Sequence, residues 1–290
     1  MKRRTFLAAA TAAVAARGLA SKGVAAGPQP NRLALSITWG MFRSMPAPEA
    51  LSHLARLEYD AFEMFNWRDP ALLNTIAAEM KKYNLECATL VANKGVKAPG
   101  CGLTNPIERE AFLEQIGLAI EAAGKVDCKR LVVLTGDEVP GLTRAAMMDS
   151  CVAGLKAAAP MLEKNGISAD VEVLNTYVNH AGYFLYYVRD GAEMIDRVGS
   201  PNVKILFDIY HVQIMEGNLI QNIRTHMKRI GHFHIGDVPG RHQPGTGEIH
   251  YRNVFKAIHD LGFQGTAALE YSPTIPLLDD MAAERKLTTF

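Results

Sequence analysis

Four side chains able to bind a metal or move a proton stand near the ends of four successive apolar runs in the second half of the chain. Glu172 lies in Ala169-Asp170-Val171-Glu172-Val173, Asp208 in Ile205-Leu206-Phe207-Asp208-Ile209, His234 in Gly231-His232-Phe233-His234-Ile235 and Glu270 in Ala267-Ala268-Leu269-Glu270-Tyr271. Unpaired charge in apolar surroundings is costly. If neighbouring strands bring three carboxylates and one imidazole together, the carboxylates repel unless a cation lies between them. Oxygen-rich ligation with one nitrogen suits Mg²⁺ or Mn²⁺, and Co²⁺ or Zn²⁺ can also be held. Each acid alone is more often a salt-bridge partner or helix cap than a ligand, and a lone histidine more often a core or surface residue. Their recurrence at equivalent places on four runs favours a metal site.

The neighbours of these four suggest supporting roles. Asp170 and Glu172 share a strand face, with Asp170 deeper, so Glu172 is the better ligand. His232 stands in the same relation to His234 and reads as a deeper supporting residue. His211, three residues after Asp208, lies where a substrate hydroxyl or oxyanion would be contacted. The loop from Asp237 to Glu248 is rich in Gly and Pro, and Arg241 supplies its rigid fork of donors for an anionic or carboxylate group. Trp39, Asn66 and Trp67 fall in the first loops that would face the same site.

Positioning four such residues requires elements that repeat. Strand-like runs at residues 33–39, 61–65, 85–92, 130–135, 168–174, 203–209, 232–235 and 266–270 alternate with helical patterns at 46–57, 70–83, 107–126, 143–165, 182–198, 219–230 and 251–261 and a shorter terminal helix. Strand–helix alternation argues for a parallel sheet. Eight units of similar pitch, with no linker or break in composition, predict a single closed (β/α)₈ TIM barrel over residues 27–290. In such barrels the strands' C-terminal ends carry the chemistry, where all four residues fall. A doubly wound open sheet is the rival, but Trp39-Gly40-Met41-Phe42 follows the first strand in place of a Gly-rich phosphate fingerprint.

The chain's 290 residues carry a formal net charge of +1 and are 48% hydrophobic. That balance suits a globular domain and excludes attraction to nucleic acid or to an anionic membrane surface. Residues 1–26 read as an export signal: Lys2-Arg3-Arg4-Thr5-Phe6-Leu7, a modest Ala-rich run, then small residues before a cut near Gly27. The paired arginines resemble the twin-arginine class, which implies the corresponding export machinery as a partner and an extracytoplasmic, periplasmic destination. The Ala-rich run is too short and too weakly apolar for stable membrane insertion. Cys87, Cys101, Cys128 and Cys151 show no metal-finger spacing and read as buried free thiols. Proteins of the twin-arginine route travel folded, which implies that thiols and a metal can be in place before export.

His232-x-His234-Ile-Gly-Asp237-Val-Pro-Gly-Arg241-His-x-Pro-Gly-Thr-Gly-Glu248-Ile resembles the signature of hydroxypyruvate isomerase-like proteins. These belong to the xylose isomerase-like TIM barrel superfamily, with D-tagatose 3-epimerase-like enzymes as relatives. Phe207-Asp208-Ile209-Tyr210-His211, Leu269-Glu270-Tyr271 and Glu172-x-Leu174-Asn175 match further family blocks in the same order, and the resemblance runs from Asn31 to about Pro273. It implies one divalent metal held by Glu172, Asp208, His234 and Glu270, and a Glu172/Glu270 pair transferring a proton through a cis-enediolate. His211 and Arg241 would then bind a small sugar or hydroxy-keto acid. Two departures stand out: His234 where the isomerases often carry Gln, as the epimerases carry His, and Val173 where the isomerases typically carry Pro. The expected activity is therefore an aldose–ketose isomerase, with a ketose 3-epimerase or another exported sugar-modifying enzyme as the alternative. A non-catalytic metal-containing sugar-binding barrel is a second alternative. The phosphodiesterases of this superfamily use three zinc ions, more histidines and a basic surface that this chain lacks. Oligomeric state is left open.

Overall fold

Eight apolar runs become eight parallel strands in the computed structural model, which describes residues 32–43, 45–93 and 102–290. They are β1 Ala34–Ile37, β2 Ala61–Met64, β3 Glu86–Val91, β4 Arg130–Val133, β5 Ser168–Glu172, β6 Val203–Asp208, β7 Ile230–Ile235 and β8 Thr266–Leu269. Each strand from β2 to β7 pairs with its successor, and β8 pairs back onto β1. The remaining seam, between β1 and β2, is bridged at Thr38 and Glu63. Between and after the strands run α1 Ala47–Arg56, α2 Pro70–Glu79, α3 Arg109–Lys125, α4 Arg144–Asn165, α5 Val188–Val198, α6 Ile209–Met215, α7 Leu219–His226, α8 Tyr251–Asp260 and α9 Leu277–Leu287. The architecture is the expected (β/α)₈ TIM barrel.

The strands are buried on both faces, as parallel strands covered by helices must be. Along β7 every residue is buried. Alternation turns His232 and His234 toward the barrel axis and Phe233 outward, where its ring packs 5.7 Å from Phe207 and 4.8 Å from Phe263. A buried phenylalanine contributes roughly 1.5–3 kcal/mol, so these outward aromatics lock β6 and β7 against the helical layer. The inward face is unusually polar: Ser36, Glu63, Thr89, Asp170, His232 and His234 are all fully buried. Gly231 makes room for one of them. A Cβ on that glycine would lie 2.6 Å from both carboxylate oxygens of Asp170.

The helices follow local signals. Asp69 caps α2 by accepting from the backbone N–H groups of Ala71 and Leu72, and Thr143 caps α4 through Ala146. The inner face of α5 is Val188, Gly191, Ala192, Ile195 and Val198 at helical spacing.

The largest departures from the sequence reading fall in three places. The helix expected from residue 182 begins at Val188, because Tyr183, Phe184 and Leu185 are pulled into the core. Tyr183 is pinned there, accepting from the Thr135 backbone N–H at 2.9 Å and donating to the Glu172 carbonyl at 3.1 Å. A short helix, α6, follows β6 directly where a strand and loop were expected. Its start is explained by Asp208, whose side chain caps it. The helix expected over 219–230 ends at His226, and a single 3₁₀ turn, Met227–Arg229, delivers the chain into β7. Of the four cysteines, Cys87, Cys128 and Cys151 are free and buried. The export segment 1–26, the cut near Gly27 and Cys101 lie outside the described residues. Among the described residues no helix is long and apolar enough to cross a membrane.

Candidate metal and proton-transfer site

The four anticipated ligands meet at the C-terminal mouth of the barrel. Glu172 is the last residue of β5 and Asp208 the last of β6, while His234 is the penultimate residue of β7 and Glu270 follows β8. Strand register aligns them: Asp208 pairs with His234, and the Glu270 backbone N–H donates to the Ile235 carbonyl at 3.0 Å. One donor atom from each of the four lies within 4.8 Å of the others. His234 Nδ1 is the hub, 2.7 Å from Glu270 Oε2, 3.3 Å from Glu172 Oε1 and 3.9 Å from Asp208 Oδ2.

The donor set can be tested for a cation. His234 Nδ1 is fully buried and has no aligned hydrogen-bond partner despite these close oxygens. A ring nitrogen that crowds three carboxylates without pointing at any one of them shares a convergence point with them, as metal ligands do. Three oxygens and one nitrogen fit a hard or borderline divalent ion. Glu172, Asp208, His234 and Glu270 would hold it.

Electrostatics at this point are strained in the manner expected of four clustered groups. Burial, then the charges of Glu270 and Asp208, raise Glu172 above the usual carboxylate range even though His234 opposes them. Burial likewise raises Asp208. Glu270 is also buried, but Arg241 and His234 outweigh that and hold it low. Environments that push two carboxylates apart in this way suit one to carry a proton and the other to accept one. Glu270 is also the more open of the two, its side chain 20% exposed against 9% for Glu172.

His211 sits on α6 with its ring fully buried. Its Nδ1 accepts from the Asn175 backbone N–H at 3.1 Å, and the Asn175 side-chain amide lies 2.6 Å away. Nδ1 is therefore the acceptor and Nε2 carries the proton. Burial, then the nearby Arg241 charge, drives the ring's pKa well below the ordinary histidine value, so it stays neutral. Nε2 is 3.5 Å from Asp208 Oδ2 but has no hydrogen-bond partner. It is a buried donor facing the carboxylate cluster.

Arg241 is held differently from the outward anchor that its loop position suggests. Its Nη2 donates to Asp208 Oδ2 at 3.0 Å and Glu270 Oε2 at 2.8 Å, and its Nε to the Glu270 carbonyl at 3.2 Å. It thus braces two of the carboxylates, with its guanidinium 5.0 Å from the Tyr210 ring centroid. The loop that presents it is organised by Asp237, a buried residue given no role in the sequence reading. Its carboxylate accepts from the backbone N–H groups of Val238, Gly245, Gly247 and Ile249 at 2.8–3.1 Å. Gly247 is required there, since a Cβ would lie 2.0 Å from the Val238 carbonyl oxygen.

The remaining candidates fall into place around this centre. Asp170 lies deeper in the barrel, accepting from Ser168 Oγ at 3.0 Å and 3.6 Å from Arg130 Nε, and is not part of the cluster. Trp39 packs against Phe42 and Phe62, and Trp67 Nε1 donates to the Val91 carbonyl at 2.7 Å. His232 lies below His234, with ring centroids 5.3 Å apart. Both rings turn Nε2 toward Glu63, a fully buried residue of β2 that the sequence reading passed over. The signal was available: Glu63 is a lone acid in the apolar run Ala61-Phe62-Glu63-Met64, the same feature that singles out Glu172. His180 was also passed over; its ring is 5.2 Å from that of His211 at the mouth.

Comparison with known proteins agrees with this fold. The profile of the xylose isomerase-like TIM barrel family matches residues 51–287. A Danio rerio protein, provisionally named a hydroxypyruvate isomerase, is 31% identical over 252 residues, spanning 84% of this chain and 91% of its own length. The hydroxypyruvate isomerase of Escherichia coli K12 is 36% identical over 168 residues, 58% of this chain and 65% of that protein. A 2-oxo-tetronate isomerase of Cupriavidus necator is 36% identical over 166 residues, 57% of this chain and 64% of that protein. Among solved structures, one described as an AP endonuclease, family 2, from Brucella melitensis superposes with a TM-score of 0.78 at 28% identity, covering 88% of this chain and 98% of that one. The chain belongs to the xylose isomerase-like TIM barrel family.

Proposed function

We propose that the protein is a metal-dependent isomerase of a small sugar or hydroxy-keto acid, of the hydroxypyruvate isomerase type, working by proton transfer between Glu172 and Glu270. The observation that carries this reading is the convergence of Glu172, Asp208, His234 and Glu270 on one point at the barrel mouth. Glu172, Asp208, His234 and Glu270 would hold a divalent ion, which would supply Lewis-acid polarisation of the substrate's carbonyl and adjacent hydroxyl and so acidify the C–H of the hydroxyl-bearing carbon. Glu270, kept ionised by Arg241, would take that proton. Glu172, with its proton affinity raised, would return one to the adjacent carbon, and the two would exchange roles in the reverse direction. The neutral His211 ring donates its Nε2 proton to the substrate oxygen on which charge develops in the cis-enediolate. Arg241 keeps Glu270 and Asp208 aimed while offsetting their charge.

Return of the proton to the opposite face of the same carbon would make a 3-epimerase, and His234 in the ligand set is the observation on that side. The hydroxypyruvate isomerase reading is favoured by the loop from Asp237 to Glu248 and by the named relatives. An endonuclease reading lacks support: among the described residues the candidate ligand clusters are two, and they share His234.

The test is a panel of hydroxypyruvate, 2-oxo-tetronates and ketohexoses, assayed with protein stripped by chelator and reloaded with Mg²⁺, Mn²⁺, Co²⁺ or Zn²⁺. Turnover of a small hydroxy-keto acid that vanishes on stripping and returns on reloading is expected. Full activity after stripping, or binding of a sugar with no turnover by any loaded form, would overturn the assignment.

A further inference from the structure

Beneath the site, the barrel interior holds an arrangement that the proposed chemistry does not use directly. Glu63 on β2 is fully buried, at the seam where β2 bridges to β1. Its Oε2 lies 3.1 Å from His234 Nε2, and its Oε1 contacts His232 Nε2 and lies 3.4 Å from Ser36 Oγ. One carboxylate thus faces two imidazoles, one on each oxygen. A carboxylate oxygen this close to an imidazole nitrogen accepts from its N–H, so each ring turns a protonated Nε2 toward Glu63. On the other side of His232, Nδ1 lies 3.4 Å from Thr266 Oγ1.

We propose that Glu63 is a positioning residue for the metal centre: it fixes His234 with its proton on Nε2, leaving the Nδ1 lone pair directed at the three carboxylates, and His232 keeps Glu63 itself aimed. The inference rests on the metal-dependent reading above. Its physical basis is that an imidazole has two nitrogens and one mobile proton, so a partner that claims the N–H at one end commits the other end to ligation. A carboxylate partner also makes the ring a more basic ligand. Partners of this kind are typically worth about 10–100-fold in metal affinity. Glu63 is separated from the substrate side by His234, so its contribution runs through the ligand and not through the reacting atoms.

The test uses the full chain and Mn²⁺ as the probe, with affinity measured by isothermal titration calorimetry on stripped protein. Glu63→Gln preserves shape but can accept from only one of the two rings. Its Mn²⁺ affinity should fall about 10-fold or more, whereas kcat and substrate KM at saturating Mn²⁺ should stay within about threefold of wild type. The Co²⁺-loaded variant should show a shifted visible ligand-field spectrum, a readout that a general loss of packing would not move. A folded Glu63→Gln variant with wild-type Mn²⁺ affinity and an unchanged Co²⁺ spectrum overturns the proposal. If Glu63→Gln does not fold, Glu63→Asp, which keeps the charge but withdraws it from both rings, is judged by the same criterion. Failure of the wild-type protein to bind any divalent ion would instead sink the metal-dependent reading itself.

Discussion

At the scale of single residues, the site depends on which nitrogen or oxygen holds a proton. His211 shows how the fold decides this without a charged partner. The Asn175 backbone N–H occupies Nδ1, so the donor Nε2 is left facing the cluster. Replacing His211 by Phe should therefore leave folding and metal affinity nearly intact while lowering kcat/KM by about 10²-fold, the scale set by loss of one donor to a developing oxyanion. A steady-state comparison checks this. Unchanged kcat/KM would show that no substrate oxygen uses Nε2. The four clustered residues were legible in the sequence because each is a polar group stranded in an apolar run, and such a group needs a structural reason. The same logic applied to Glu63, but nothing in the local pattern of β2 indicates that its partners lie 169 and 171 positions away on β7. That pairing becomes visible only when the barrel closes. Arg241 was legible as a functional cation, but not the direction of its guanidinium, which the buried carboxylates of Asp208 and Glu270 set.

At the scale of elements, the strands' C-terminal ends bring the four clustered residues together and the following segments fix their aim. Asp208 both closes β6 and caps α6, so one carboxylate oxygen accepts from the His211 backbone N–H at 3.1 Å while the other faces the cluster and Arg241. This helix was not anticipated, because its seven residues continue an apolar strand pattern and only the capping geometry breaks it. Likewise the segment before α5 looked helical by period, but burial of Tyr183 and Phe184 draws it over the barrel mouth. The loop after β7 makes a sharper case. Four backbone N–H groups converge on Asp237, so Asp237→Ala should strand them and release the loop. Counting about 0.5–1.5 kcal/mol per lost hydrogen bond, the expected destabilisation is about 2–5 kcal/mol, with a rise in KM because Arg241 loses its seat. Urea unfolding and kinetics on the same variant check both. A variant as stable as wild type would mean that the loop is held by other contacts.

At the scale of the whole molecule, repetition made the barrel readable: eight strand–helix units with no linker admit few other architectures. The sequence pattern was silent on how the barrel is finished, which α9 accomplishes through a buried acidic patch. Asp280 accepts from the Tyr271 hydroxyl at 2.8 Å and is pushed up to about 6 by burial. Burial, and then the charges of Asp280 and Asp237, push Glu284 up to about 9 from an ordinary 4.5. A carboxyl raised in the fold binds a proton there that the unfolded chain releases. Its effect on stability is therefore absent below about pH 4.5 and grows as a penalty as pH rises toward about 9. Glu284→Gln, which mimics the protonated form, should be more stable than wild type by on the order of 2 kcal/mol at pH 8 and nearly equal to it at pH 4.5. Urea unfolding at the two pH values checks this. A gap that is absent at pH 8, or that widens toward acid, would contradict the assignment.

The central claim is that Glu172 and Glu270 move a proton to and from a substrate carbon next to a carbonyl. Incubation of the reloaded enzyme with hydroxypyruvate in deuterium oxide, followed by NMR of the recovered substrate and product, tests it most directly. Wild-type protein should wash deuterium into the carbon-bound positions that exchange during isomerisation. At saturating metal, Glu172→Gln and Glu270→Gln should each reduce that rate by about 10²–10⁴-fold. Deuterium incorporation at the wild-type rate in either glutamine variant, with metal bound, would contradict the account.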